Sequence, residues 1–405
     1  MTTQRRQTFD PPPDHDHRYR ERAFHARDQT FRVVTKPGVF AWEGLDRGTR
    51  LLIEAMDVRP ADTVLDLGCG HGIVGLAAAG MAPQGRVHLA DSNVVAVEAA
   101  RRTLALNGVT HAEVHLSDVA SAVRHVAFDV VAAHLPRGKA TARQFIADAA
   151  AVLKPGGHLY LAGHKQSGIK PFVTYAQEVF GNGEVIALKK GYRVSVCVKD
   201  KGTTVPQTDY YQWHDFSAEV GGQAYHFVSK PGVFSWNELD AGTRVLVETM
   251  KIRPGDTALD LGCGCGIVGL IAAEKAHQGR VYLTDSSVVA VEAARRTLAV
   301  NGVTHAEAHL SDGSAAVRGV RFDVVVTNPP FHQGRQADYN VAHQFIRDAA
   351  SVLGRRGRLY VVSNRFIRYE DQMREHFHEV SVAYEDNLYR VLLAARPKKT
   401  TGRKS

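Results

Sequence analysis

Residues 324–331, VVVTNPPF, set an asparagine, two prolines and a phenylalanine directly behind a β-branched run. Two prolines after a buried strand end it and stiffen the turn. A stiff turn alone needs neither the amide of Asn328 before Pro329 and Pro330 nor the ring of Phe331 after them. Together these residues offer fixed hydrogen-bond acceptors and a flat apolar face. A second loop, DLGCGCG at 260–266, carries Asp260 and then Gly262, Gly264 and Gly266. Its glycines let the backbone turn tightly and approach a ligand, and a helix behind it would present free N–H groups. With Gly269 and Asp285 the loop also satisfies the dinucleotide fingerprint. The competing reading is a tight turn with nothing bound. Asp260 argues against a dinucleotide, because its charge would repel a pyrophosphate and suit a cationic or ammonium-bearing ligand.

These loops belong to alternating strands and helices. Residues 257–262, 280–285, 322–327 and 358–363 read as strands, and 267–276 and 288–301 as helices, the latter closed by Gly302. Strands alternating with long helices predict a mainly parallel sheet covered on both faces, with ligands at the carboxyl ends of its strands. The pattern occurs twice. Residues 91–118 recur at 285–312 with three differences in 28 positions, and KPGVFAW at 36–42 recurs as KPGVFSW at 230–236. The offset is 194 up to the fourth strand and 200 after it, which places six extra residues between 332 and 343 of the second copy. The expected architecture is two tandem doubly wound α/β domains arising by duplication. A disordered tail spans 1–17, the first domain 18–200, a linker 201–211, the second domain 212–395 and a basic tail 396–405.

Composition excludes several classes. The chain has 405 residues, 44% hydrophobic and 23% charged, which rules out wholesale disorder. Its longest apolar run, Ile73 to Ala82, is too short to span a membrane, and the first residues lack the apolar core of a secretory signal. Cys69, Cys197, Cys263 and Cys265 are too few and too poorly spaced for a disulfide framework or a zinc cage, so no metal is expected and the chain reads as cytoplasmic. Of the net charge of +8, five positive charges lie in the last ten residues. That tail is either a phosphate-contacting arm or a solvated terminus.

Asp260-x-Gly-x-Gly-x-Gly resembles the first motif of S-adenosylmethionine-dependent class I methyltransferases, which have a Rossmann-like fold. That resemblance implies that Asp260, Gly262, Gly264 and Gly266 hold the methionine part of the cofactor, that Asp285 accepts the ribose hydroxyls and that Asp312 meets the adenine amine. Asp312 reads equally well as a plain turn acid. Asn328-Pro329-Pro330-Phe331 resembles the catalytic motif of methyltransferases that modify exocyclic amines. The lone pair of such an amine is delocalised into its ring. Accepting its hydrogens on Asn328 and a proline carbonyl would turn that pair toward the methyl and stabilise the developing charge. Phe331 would stack on a base drawn out of its helix.

With KPGVFSWNELDAGTR before the glycine loop and VVSNRFIRYEDQM after the fifth strand, the chain resembles the tandem-domain ribosomal RNA (guanine-N2)-methyltransferases of the RsmC/RlmG type over about residues 18–395. This implies ribosomal RNA or a ribosomal subunit as partner, with 16S favoured over 23S RNA. In the first copy His134-Leu135-Pro136-Arg137-Gly138 replaces the catalytic tetrapeptide, so that copy is expected to be catalytically dead. It keeps Asp66, Gly68, Gly70, Gly72, Asp91 and Asp118, which departs from the family and raises a second, non-productive cofactor site as an expectation. The rival readings are amino methylation of DNA adenine or protein glutamine, a non-catalytic RNA-binding assembly factor and, weakest, a dehydrogenase. Oligomeric state is not legible in the sequence.

Overall fold

The computed structural model describes residues 18–330 and 336–398, and only the backbone of 336–339. Phe331, the tail 1–17 and most of the basic tail lie outside the described residues. Within that tail, Arg396 pairs with Glu379 at 2.9 Å and Lys398 donates to the Arg374 carbonyl at 2.6 Å.

The first copy opens with a hairpin of β1 (Arg20–Ala26) and β2 (Gln29–Thr35), followed by α1 (Arg47–Ala55). Then come β3 (Thr63–Leu67), α2 (Ile73–Met81), β4 (Arg86–Asp91), α3 (Val94–Leu106) and β5 (Ala112–Leu116). It closes with β6 (Phe128–His134), α4 (Lys139–Val152), β7 (Leu153–His164), α5 (Ile169–Phe180), β8 (Glu184–Lys189) and β9 (Tyr192–Val198). The second copy repeats the hairpin as β10 (His214–Val220) and β11 (Gln223–Ser229), followed by α6 (Ala241–Thr249). Next are β12 (Thr257–Leu261), α7 (Ile267–Lys275), β13 (Arg280–Asp285), α8 (Val288–Val300) and β14 (Ala306–Leu310). Last are β15 (Phe322–Thr327), α9 (Gln336–Val352), β16 (Leu353–Asn364), α10 (Glu370–His376), β17 (Phe377–Glu385) and β18 (Tyr389–Pro397). Part of the extra length of the second copy lengthens its helix, since α9 has 17 residues and α4 has 14.

Each copy forms one seven-stranded sheet, ordered β5-β4-β3-β6-β7-β9-β8 and β14-β13-β12-β15-β16-β18-β17. The first five strands of each order are parallel, and β9 and β18 run antiparallel to both neighbours. Val324, Val325 and Val326 are fully buried in mid-sheet, as a β-branched run covered on both faces must be. Apolar clusters cover both faces of each sheet. Each order reverses beside its first strand, β3 or β12, so the loops behind β12, β13, β14 and β15 meet at one carboxyl edge.

The segment 201–211 is not a free tether. Thr204 N donates to the Val179 carbonyl at 3.0 Å, and Tyr210 is buried among first-copy residues that include Leu67, Ala90 and Phe145. Polar composition predicted a linker, but tyrosines at its end give it apolar surface to bury. Among the described residues no helix is long and apolar enough to cross a membrane.

Candidate active site

A cavity of about 600 Å³ opens at the carboxyl edge of the second sheet. Asp260, Gly262, Gly264, Asp285, Asp312, Asn328, Pro329 and Pro330 all line it, so these sequence-selected residues converge on one space. Its glycine wall needs glycine. Gly262, Gly264 and Gly266 have φ of 80°, 54° and 85°, where a side chain would be strained. One turn into α7, a Cβ on Gly269 would lie 2.2 Å from Leu283 Cδ2.

Asp285 ends β13 and turns both oxygens to the loops. Oδ2 accepts from Gly264 N at 3.0 Å and Oδ1 from Ser287 N at 2.9 Å. The Ser286 N–H bonds the same carboxylate, which keeps acceptor capacity for a hydroxyl donor. Asp260 differs from its expected role as a partner for a ligand ammonium. It is 2% exposed, and its Oδ2 accepts from Gly269 N at 2.8 Å, which ties the glycine loop to α7. Burial pushes its carboxyl up to about 8 against the opposing pull of the Gly269 N–H, and the Asp285 charge adds to the push.

That shift carries a pH signature. The folded protein keeps a proton on Asp260 that the unfolded chain, titrating near 3.8, releases. The resulting stability is complete below the unfolded value and is lost as pH rises toward about 8. Asp260→Asn keeps an acceptor for Gly269 and does not titrate. Denaturant melts should show wild-type stability falling relative to Asp260→Asn between about pH 5 and 8. A constant difference over that range would contradict the shift.

Asn328 follows β15, and its Nδ2 donates to Thr243 Oγ1 at 2.9 Å and Asp240 Oδ2 at 3.3 Å. With the nitrogen so fixed, its Oδ1 is the amide atom left to accept from a ligand. Asp240 is itself anchored as the N-cap of α6, where it accepts from Thr243 N at 2.8 Å. Neither residue was singled out in the sequence, where an aspartate three before a threonine reads as an ordinary helix cap. Phe234 and Tyr389 also line the cavity, and the Phe234 ring is 65% exposed. Its counterpart Phe40 lies against His134, the residue in the Asn328 position, with ring centroids 5.1 Å apart. Exposure beside the cavity was the missing observation, and it has no signature in sequence.

Burial, with Asp285 and Asp260 adding charge, raises the Cys263 thiol well above its ordinary value, and burial pushes Cys265 up to about 12. Both stay protonated, so neither is a thiolate nucleophile. Among the described residues one group could hold a metal, His88, Glu113 and His115 on β4 and β5, and none of them lines the cavity.

The first copy keeps the loop geometry. Asp91 Oδ2 accepts from Gly70 N at 3.0 Å and Asp66 Oδ2 from Gly75 N at 2.8 Å. Gly68, Gly70 and Gly72 again have positive φ. Its other walls differ. His134 Nε2 lies 3.2 Å from Asp46 Oδ2, Leu135 is buried and Arg137 exposed. Tyr210 donates to Asp118 Oδ1 at 3.3 Å, and Tyr211 donates to the Asp118 carbonyl at 3.3 Å and to the Asp148 carboxylate.

The family model described as Methyltransferase small domain matches residues 30–196 and 224–393. The chain is 34% identical over 270 residues to the ribosomal RNA small subunit methyltransferase C of Pseudoalteromonas atlantica, covering 66% of this chain and 78% of that protein. It is 32% identical over 270 residues to the protein of the same name from Stutzerimonas stutzeri, covering 66% and 80%. Among solved structures, the T. thermophilus 16S rRNA N2 G1207 methyltransferase (RsmC) in complex with AdoMet and guanosine superposes with a TM-score of 0.77 at 28% identity. That match covers 93% of this chain and 98% of that one.

Proposed function

Because the chain belongs to the methyltransferase small domain family, among the tandem-domain ribosomal RNA small subunit methyltransferases C, we propose that it methylates the exocyclic N2 amine of a guanine in 16S ribosomal RNA. Asn328 carries this reading. An amide whose nitrogen is held by Asp240 and Thr243 presents a fixed acceptor where a planar amine must be activated.

The cavity residues fit S-adenosylmethionine, whose sulfonium supplies a transferable methyl group. Asp285 offers two acceptors for a diol, the glycine loop offers close backbone, and Thr284 Oγ1 and Ser363 Oγ are buried cavity-lining groups without a hydrogen-bond partner among the described residues. Gly262, Gly264, Asp285 and Asp312 would hold it, while Asp260, through Gly269 N, and Gly266, at the N-cap of α7, shape the loop. Asn328 Oδ1 and a proline carbonyl accept the amine hydrogens. They turn the nitrogen lone pair toward the methyl and stabilise positive charge as it develops on nitrogen. Stiff Pro329 and Pro330 fix the acceptors beforehand. The base leaves its stack to enter, and Phe331 and Phe234 hold its faces. The first copy performs no transfer, since His134 lacks the amide acceptor and sits beside Asp46. Its retained Asp66, Gly68, Gly70, Gly72 and Asp91 take cofactor more weakly, because Tyr210 caps the Asp118 carboxylate and His134 and Leu135 replace the loop behind β15.

Labelled-methyl transfer to purified 16S and 23S RNA and to both subunits tests the function. Label entering 16S RNA, free or in the small subunit, is expected, and label confined to 23S RNA would contradict it. For Phe234, loss of one stacked ring costs about 1–3 kcal/mol. Phe234→Ala should therefore raise KM for RNA about tenfold with cofactor affinity unchanged, while Phe234→Tyr stays near wild type. Equal behaviour of the Ala and Tyr variants would remove the ring from the site.

A further inference from the structure

The two copies pack with their cofactor-loop edges facing each other. Val94 N donates to the Ser286 carbonyl at 2.9 Å, Val288 N to the Ser92 carbonyl at 3.0 Å, and Asn93 bridges Ser287. These residues directly follow Asp91 and Asp285. Across this junction each KPG segment reaches into the other copy. Lys36 Nζ donates to Asp312 Oδ2 at 2.5 Å, and Lys230 Nζ donates to Asp118. Both lysine side chains are 3% exposed. A buried ammonium is costly unless a carboxylate compensates it, so each lysine holds its aspartate firmly. Gln344 Nε2 takes the other Asp312 oxygen at 3.0 Å. Pro37, Gly38, Asn93 and Val95, all from the first copy, line the cavity of the second.

We propose that Lys36 is a positioning residue for the methyl-transfer site: it fixes Asp312 at the wall of the cavity, so that the degenerate copy supplies part of the pocket in which the active copy binds its cofactor. This rests on the reading of that cavity as the cofactor site. The duplication provides the control. The Lys230–Asp118 pair has an equally buried lysine and the same place across the junction, but Tyr210 takes the other Asp118 oxygen, and that aspartate is 19% exposed against 30% for Asp312, which lines the cavity. A purely structural role would make the two pairs equivalent. A positioning role makes only the Lys36 pair matter to the cofactor.

The test uses the full chain with Lys36→Met, Lys36→Arg and Lys230→Met, read by thermal melting, calorimetry with S-adenosylhomocysteine, and separate KM and kcat values on rRNA. Both Met variants should lose similar thermal stability. Only Lys36→Met should weaken S-adenosylhomocysteine and raise the cofactor KM, by roughly tenfold, the scale of one charge-assisted hydrogen bond. Its kcat should change less, and Lys36→Arg should recover part of the affinity. Unchanged cofactor affinity in a folded Lys36→Met would overturn the proposal while wild-type binding leaves the cavity reading intact. Wild-type protein that binds no S-adenosylhomocysteine would overturn both. Should Lys36→Met fail to fold, Lys36→Gln takes its place beside Lys230→Gln: cofactor binding weakened in the first alone supports the proposal, and wild-type affinity overturns it.

Discussion

Asn328→Ala lowers methyl transfer by at least about a hundredfold, the usual scale for removing one preorganised polar contact to the reacting group, and leaves cofactor affinity unchanged. The separation of effects follows from geometry. The Asn328 side chain bonds to Asp240 and Thr243 and to none of the loop residues around Asp285. The loss should appear in kcat, because the acceptor stabilises charge that forms only in the transition state. Asn328→Asp is instructive as well, since it keeps an oxygen but puts a carboxylate beside Asp240 and removes the Nδ2 donor. Rapid-quench single turnovers with calorimetry alongside separate chemistry from binding. Turnover near wild type in Asn328→Ala would remove the amide from the mechanism.

Asp285→Ala weakens cofactor binding by at least about a hundredfold. Two acceptors for hydroxyl donors disappear, each charged hydrogen bond being worth roughly 1.5–3 kcal/mol. Gly264 N and Ser287 N lose their partner at the same time, so the loop is freed as well as the ligand site. The matching Asp91→Ala in the first copy leaves methyl transfer unchanged and removes at most a weaker second binding event in calorimetry. Its neighbour Asp118 lies under Tyr210 and is less exposed than Asp312, 19% against 30%. Equal loss of methyl transfer in the two variants would make the copies functionally equivalent and contradict the assignment of one as silent.

Local chemistry was legible in the sequence, and contacts between distant segments were not. The 194-residue offset exposed the duplication, and alternating strand and helix patterns gave the parallel sheets. Asn328 and the glycine loop stood out because prolines and glycines constrain the backbone wherever they occur. Asp260 carries a contact that its spacing does not show. Its spacing ahead of Gly262 suggested a ligand contact, whereas the close approach of α7 to β13, permitted by Gly269, brings a backbone N–H to it first. Asp240 and Thr243 looked like a helix cap and are one, and the same atoms also orient Asn328 from more than 80 residues away. Lys36 was visible only as part of a repeated KPG motif. Its partner lies 276 residues further on, in the other copy, and no periodicity reports such a contact. The tyrosines over Asp118 were hidden for the same reason.

Nucleoside analysis of 16S RNA after reaction with this protein tests the central claim most directly. Unmethylated small-subunit RNA or subunits, incubated with labelled S-adenosylmethionine and digested to nucleosides, should yield the label as N2-methylguanosine, with at least about a hundredfold less formed by Asn328→Ala. Label recovered in methyladenosine, in protein, or in a guanosine methylated on a ring atom would contradict the account.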